Sequence, residues 1–163
     1  MNLSQKSIQE AKKQLEKYKD NFDKGYKNGI ELATKAMYER VCYYCQLANI
    51  VNDLNDIHWE YNRETNVGKV WTNNNVIIFN EMGTGITGAN NPHPSPSDSF
   101  QSWKYDVNEH GEKGWVYPKK DGTFGWTKGL PSKHMFYDAF NDIKDELKDY
   151  INIEIDKTVG DLY

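Results

Sequence analysis

The sequence predicts an α+β fold: an antiparallel β-sheet packed against a long N-terminal helix and a C-terminal helix, with a long Pro-rich loop between strands. Three observations carry that expectation. Apolar residues recur at helical spacing near both ends of the chain. The middle alternates with a period of two between turn-forming pairs such as Asn73-Asn74 and Asp121-Gly122. Pro92, Pro94 and Pro96 then fall within five residues, which forbids both helix and central strand.

The elements follow in order. Leu3, Ile8, Ala11, Leu15, Tyr18 and Phe22 mark an amphipathic helix, with Ser4 or Ser7 as its N-cap. Gly25 and Gly29 mark a break or bend. A second helical pattern runs from Ile30 through Met37, Val41 and Tyr44 to Leu54 and is stopped by Asn52 to Asp56. Residues 57–63, 67–72 and 75–81 read as three strands of a meander, and 86–108 as loop. Gly114 to Pro118 and Thr123 to Thr127 flank Asp121-Gly122 as a hairpin. Ser132 can cap a last helix with Phe136, Ile143 and Leu147 along one stripe, and Ile151, Ile153 and Ile155 alternate as a final strand. The whole chain, 1–163, reads as one domain, with 1–24 a helical extension.

Composition narrows the function classes. A net charge of -4 gives no basic footprint for tight nucleic-acid binding. No run approaches the roughly 18 apolar residues of a membrane span, and Met1 to Lys6 lacks the apolar core of a signal peptide, so the chain is expected to be made and kept in a cytoplasm. An aromatic share of 13%, with five Trp and eleven Tyr, argues for half-buried rings in sheet faces or subunit contacts.

Several motifs bear on chemistry. Cys42-Tyr-Tyr-Cys45 has thioredoxin spacing, but helical periodicity runs through both cysteines, so they read as packing thiols. Gly83, Gly85 and Gly88 spell the dinucleotide fingerprint G-x-G-x-x-G after an apolar run ending in Glu81. With Pro92 and Pro94 close behind, no helix is expected to open there, and the glycines read as a bend leaving a strand. His58, His93, His110 and His134 show no metal-ligand spacing, and Glu109-His110 with Glu112 reads as solvated loop. Asp138 to Asp149, with Lys144 and Lys148, is the polar face of a helix. Trp103, Trp115, Tyr117, Phe124 and Trp126 could stack bases or sugars, but Asp106, Glu109, Glu112 and Asp121 offset most of the nearby lysine charge. No nucleophile, metal site or cofactor site stands out, and no enzyme is expected.

Val67 to Asn73 followed by Val76-Ile-Ile-Phe-Asn-Glu-Met-Gly-Thr-Gly85 resembles the strand pair ending in E-x-G-T-G of siphophage minor tail-component proteins. Gly114-Trp-Val-Tyr-Pro118, Asp121-Gly122, Trp126-Thr-Lys-Gly-Leu-Pro-Ser132 and Phe136-Tyr-Asp-Ala139 are similar to that family's second half. The resemblance covers about half the chain, Val67 to Leu147. It implies a tail-completion or head–tail joining protein of the virion neck, made in the host bacterial cytoplasm. Such a protein forms a ring, commonly a hexamer, between head connector or stopper proteins and the tail terminator or tube, with genomic DNA passing through unread.

On this reading Glu81, Gly83, Gly85, Gly88, Trp103, Tyr105, Trp115, Tyr117, Trp126 and Pro131 are structural or interface residues, and the 86–108 loop reaches toward neighbours. Two alternatives stand beside it. One is a tail terminator or another minor virion protein. The other is a small ligand-binding or enzymatic domain using Glu81 and the Gly83 to Gly88 turn, which requires a cleft there with converging polar groups.

Overall fold

The computed structural model describes residues 4–95, 98–119 and 121–160. Helices α1 (Gln5–Leu47), α2 (Asn75–Met82), α3 (Gly85–Asn90), α4 (Asp98–Gln101) and α5 (Met135–Gly160) join strands β1 (Ile57–Asn62), β2 (Val67–Thr72), β3 (Trp115–Pro118) and β4 (Phe124–Thr127). The fold is α+β as expected, but the strands form two separate two-stranded sheets, β1–β2 and β3–β4. The chain divides into two compact units: 1–37, 59–70 and 142–163 in the first; 38–58 and 71–141 in the second.

In the first unit the expected break at Gly25 and Gly29 does not occur, because α1 is one helix of 43 residues. The glycines are there for closeness. A Cβ on Gly25 would lie 2.6 Å from the Ile155 Cα, and one on Gly29 would lie 3.0 Å from the Tyr150 carbonyl oxygen. Two backbones therefore pack where any side chain would hold them apart. Asn21 Nδ2 donates to the Thr158 carbonyl at 2.7 Å in the same seam. The expected final strand over Ile151 to Ile155 is likewise part of α5, since Ile151 and Ile155 sit one helical turn apart against Gly29 and Gly25. The β1–β2 turn is held by Asn62 Oδ1, which accepts from the Glu64 and Thr65 amides.

In the second unit α1 ends earlier than expected. Asn49 takes a left-handed φ of 61°, and the Ile50 amide returns to the Cys45 carbonyl at 2.8 Å, a Schellman arrangement with Asn in glycine's usual place. The expected third strand, 75–81, is helix α2. Asn74 caps it, its Oδ1 accepting from the Val76 amide at 2.7 Å, while its Nδ2 donates to Asp53 and Asp56. Ile77, Asn80 and Glu81 are buried, an i, i+3, i+4 face that includes two polar residues. The 86–108 segment is only partly loop, since α3 and α4 fall within it; Pro96 lies outside the described residues. Val41, Cys45, Ile77, Met135 and Ala139 are among the buried apolar residues around which this unit closes.

Candidate functional site

Glu81 is a buried polar side chain of the second unit. It emerges from the last turn of α2 and is 6% exposed. Its Oε2 accepts from the Phe136 amide at 2.8 Å, and its Oε1 accepts from the Tyr137 amide at 3.1 Å. Those are first-turn amides of α5, which have no partner within their own helix. The carboxylate thus caps a helix 54 residues further along the chain (Met135 minus Glu81), where the positive end of the dipole favours it. Ser132, the expected cap, does something else: its hydroxyl donates to the Glu81 backbone carbonyl. The Lys133 amide donates to the Asn80 carbonyl at 2.8 Å, so α2 and the lead-in to α5 are stitched at three successive points.

His93 completes the knot. Its Nε2 lies 3.0 Å from Glu81 Oε1, and its Nδ1 accepts from the Ser95 amide at 3.1 Å. An accepting Nδ1 leaves the ring hydrogen on Nε2, which donates to the carboxylate. The ring stacks on Phe100 with centroids 4.4 Å apart and meets Tyr137 edge-on at 5.3 Å. Both carboxylate oxygens of Glu81 and both ring nitrogens of His93 are hydrogen-bonded within the chain.

The three glycines sit beside this knot and are all buried. Gly83 and Gly85 adopt left-handed φ values of 80° and 60°. Contrary to expectation a helix does open at the glycines, but α3 has six residues and ends ahead of Pro92. The amides that a nucleotide would need are already bonded: Thr84 N to the Leu130 carbonyl at 2.8 Å, Gly85 N to Tyr105 at 2.6 Å, Thr87 N to Lys128 at 3.2 Å. A Cβ on Gly88 would fall 2.7 Å from the Gly83 carbonyl carbon. The fingerprint spells a crossing point for three backbone segments.

A groove of about 650 Å³ opens next to it, lined by Val76, Phe79, Thr84, Val107, Asn108, Trp115, Tyr117, Thr127 and Leu130. Glu81 is not among its lining residues. The Oδ1 of Asn108 is buried and has no hydrogen-bond partner.

The expected interface residues therefore separate. Glu81, Gly83, Gly85 and Gly88 are interior. Trp103 donates its indole N–H to the Gly83 carbonyl at 2.9 Å, and the Tyr105 hydroxyl accepts from the His93 amide at 3.4 Å, so both face inward and hold the loop to the knot. Trp115 and Tyr117 line the groove, whereas Trp126 and Pro131 are exposed. Cys45 is buried with its thiol 4.0 Å from the Met135 sulfur; burial, then Cys42 and Glu81, pushes it up to about 12. Burial also raises Cys42. Both cysteines are free thiols.

His93, Asn108 and Val107 were not singled out as site residues by sequence. His93 stands between two prolines in a segment that reads as solvated, and no local pattern marks it as buried. Among the described residues no group of three or more His, Cys, Asp or Glu could hold a metal ion, and no helix is long and apolar enough to cross a membrane. No family model, curated protein or solved structure matches this chain.

Proposed function

We propose that this chain is a structural subunit of a tailed-phage neck, assembling as a ring that completes the tail and joins it to the head connector, with DNA passing through the lumen. It acts by docking to other chains and not by turnover. The observation that carries this reading is the exposed apolar face of the β3–β4 hairpin: Val116 is 62% exposed, Phe124 72% and Trp126 58%. Large side chains grouped so on one short ribbon mark a contact surface. The virion setting rests on the resemblance of Val67 to Leu147 to siphophage tail components. A ring subunit repeats one head-to-tail contact on every copy, and the ribbon would supply one of the two surfaces that contact needs.

Glu81 supports the same reading from the other side. The E-x-G-T-G tract, the feature most suggestive of chemistry, is consumed in joining α2, the 86–108 segment and α5. Native mass measurement of the purified chain, alone and mixed with head-connector and tail-tube proteins, tests the proposal. A closed oligomer in either sample is expected. A strict monomer that joins neither partner would overturn it.

A further inference from the structure

Cys42 and Cys45 stand at i, i+3 positions of α1, and Met135 opens α5 against Cys45. The Cys45 thiol donates to the Met135 Sδ at 4.0 Å. Both cysteines are free, and Cys45 and Met135 are among the most deeply buried side chains of the protein. Leucine or valine would fill such volume equally well. What sulfur adds is affinity for soft metal ions.

The 4.0 Å separation suits such an ion. Two sulfurs bound at 120° to one metal ion, each about 2.3 Å from it, stand about 4.0 Å apart. An ion that replaces the Cys45 thiol hydrogen therefore meets both sulfurs at bonding distance. Cys42 supplies a third donor. Side chains at i, i+3 have Cβ atoms about 5–6 Å apart on one helix face, so a rotamer of Cys42 reaches the same ion.

The donor set selects the ion. Thiolate and thioether sulfur favour Cu(I), whereas structural zinc takes four ligands and hard cations take oxygen. Among the described residues no group of three or more His, Cys, Asp or Glu could hold a metal ion, so no zinc-type set surrounds these cysteines. Val41 and Ala139, one turn from Cys45 and Met135, are fully buried and keep the surroundings dry. Cys42 is only half-buried and gives an ion its way in. Glu81 holds the geometry from behind: by accepting from the Phe136 and Tyr137 amides it fixes the first turn of α5, and with it Met135. Burial and negative neighbours keep the Cys45 thiol protonated, a balance that a cation at the sulfur reverses.

We propose that Cys42 Sγ, Cys45 Sγ and Met135 Sδ form a three-coordinate site for one Cu(I) ion. On binding, both thiol protons leave to solvent, and two thiolates and a neutral thioether hold the ion, whose oxidation state does not change. The ion clips α1 to the first turn of α5. This site is independent of the ring reading.

The experiment is an anaerobic titration of the full chain with Cu(I) in competition with bicinchoninate, for wild type, Cys42→Ser and Met135→Leu. Both replacements are close in size to the native side chains, and thermal unfolding confirms that each variant is folded. The wild type is expected to bind one equivalent, with thiolate-to-copper absorption in the near ultraviolet and three sulfur neighbours in X-ray absorption at the copper edge. Its Tm rises with added Cu(I). Cys42→Ser is expected to weaken binding by about a hundredfold or more, since even outer-shell changes cost roughly 10–100-fold. Met135→Leu, which removes a neutral donor, is expected to weaken it by about tenfold and to leave two sulfur neighbours. Excess Zn(II) should not displace the copper. A wild type that takes up no Cu(I) from bicinchoninate overturns the site. Equal affinity in Cys42→Ser would mean an adventitious ion only. Unchanged affinity and three sulfur neighbours in Met135→Leu would remove the thioether and with it the proposed site.

Discussion

Residues 5–20 of α1 and the knot around Glu81 are opposites. The first stretch is a helix in which every residue is exposed, Ile8, Leu15 and Tyr18 among them, and it is held by its own i→i-4 hydrogen bonds. The second is a buried carboxylate that draws two helices and a loop together through partners 12 to 56 positions away. Local pattern dictates the first almost completely. The second exists only because distant segments meet. The comparison separates what makes the chain fold from what it leaves exposed.

The sharpest way to break the comparison is to remove the Glu81 carboxylate. Glu81→Ala leaves the Phe136 and Tyr137 amides and His93 Nε2 buried without an acceptor. It is expected to cost about 3–5 kcal/mol in chemical denaturation. Glu81→Gln keeps one accepting oxygen and is expected to cost about half as much. A cost below roughly 1 kcal/mol for the alanine variant, the ordinary level of a surface change, would mean the knot does not hold the second unit.

A backbone change at the crossing point comes next. Gly129 has a φ of 105°, and a Cβ there would run into the Thr84 carbonyl oxygen. Gly129→Ala is expected to cost about 2–4 kcal/mol, from the conformation and the clash together. Gly122 also has a positive φ, 80°, but faces open space, so Gly122→Ala should cost about 1 kcal/mol. The difference between these two alanines measures the crowding alone.

How much of this was legible follows from the same contrast. The amphipathic ends, the β1–β2 turn and the Asp121-Gly122 hairpin were readable because each is encoded within a few residues. Helix α2 looks like a strand in sequence because Val76, Ile77, Ile78 and Phe79 are β-favouring. Its helical face contains Asn80 and Glu81, buried polar residues that a hydrophobic pattern counts as solvent-facing. Gly25 and Gly29 were read as breaks because sequence does not reveal an approaching backbone. Residues Ile151 to Ile155 mimic a strand since their alternation is also compatible with i, i+4 contacts. The site was legible in its parts and not in its assembly: Glu81 and the glycines were visible, but His93 and the α5 amides that complete the knot lie far off in the chain.

Smaller effects sharpen the picture. Leu15→Lys on the exposed helix should change stability by less than about 0.5 kcal/mol. A larger loss in thermal unfolding would show that 5–20 is packed after all. In the hairpin, Thr123 donates to Asp121 Oδ1 from both its hydroxyl and its amide, which lowers the Asp121 carboxyl below its ordinary 3.8. A depressed carboxyl contributes stability above its unfolded value that is lost as pH falls through its folded one. The hairpin contribution should therefore be complete at neutral pH and fade only below about 3.8. Asp121→Asn should flatten that part of the acid titration followed by NMR.

The central claim is that fold and contact reside in different residues, and one paired measurement addresses it directly. Thermal unfolding and sedimentation velocity are recorded for wild type, Glu81→Ala and Trp126→Ala side by side. The account predicts that Glu81→Ala lowers Tm markedly, while Trp126→Ala keeps the wild-type Tm within about 2 °C and loses self-association. A Trp126→Ala chain whose assembly fails only in step with its unfolding, or one that assembles like wild type, would contradict it.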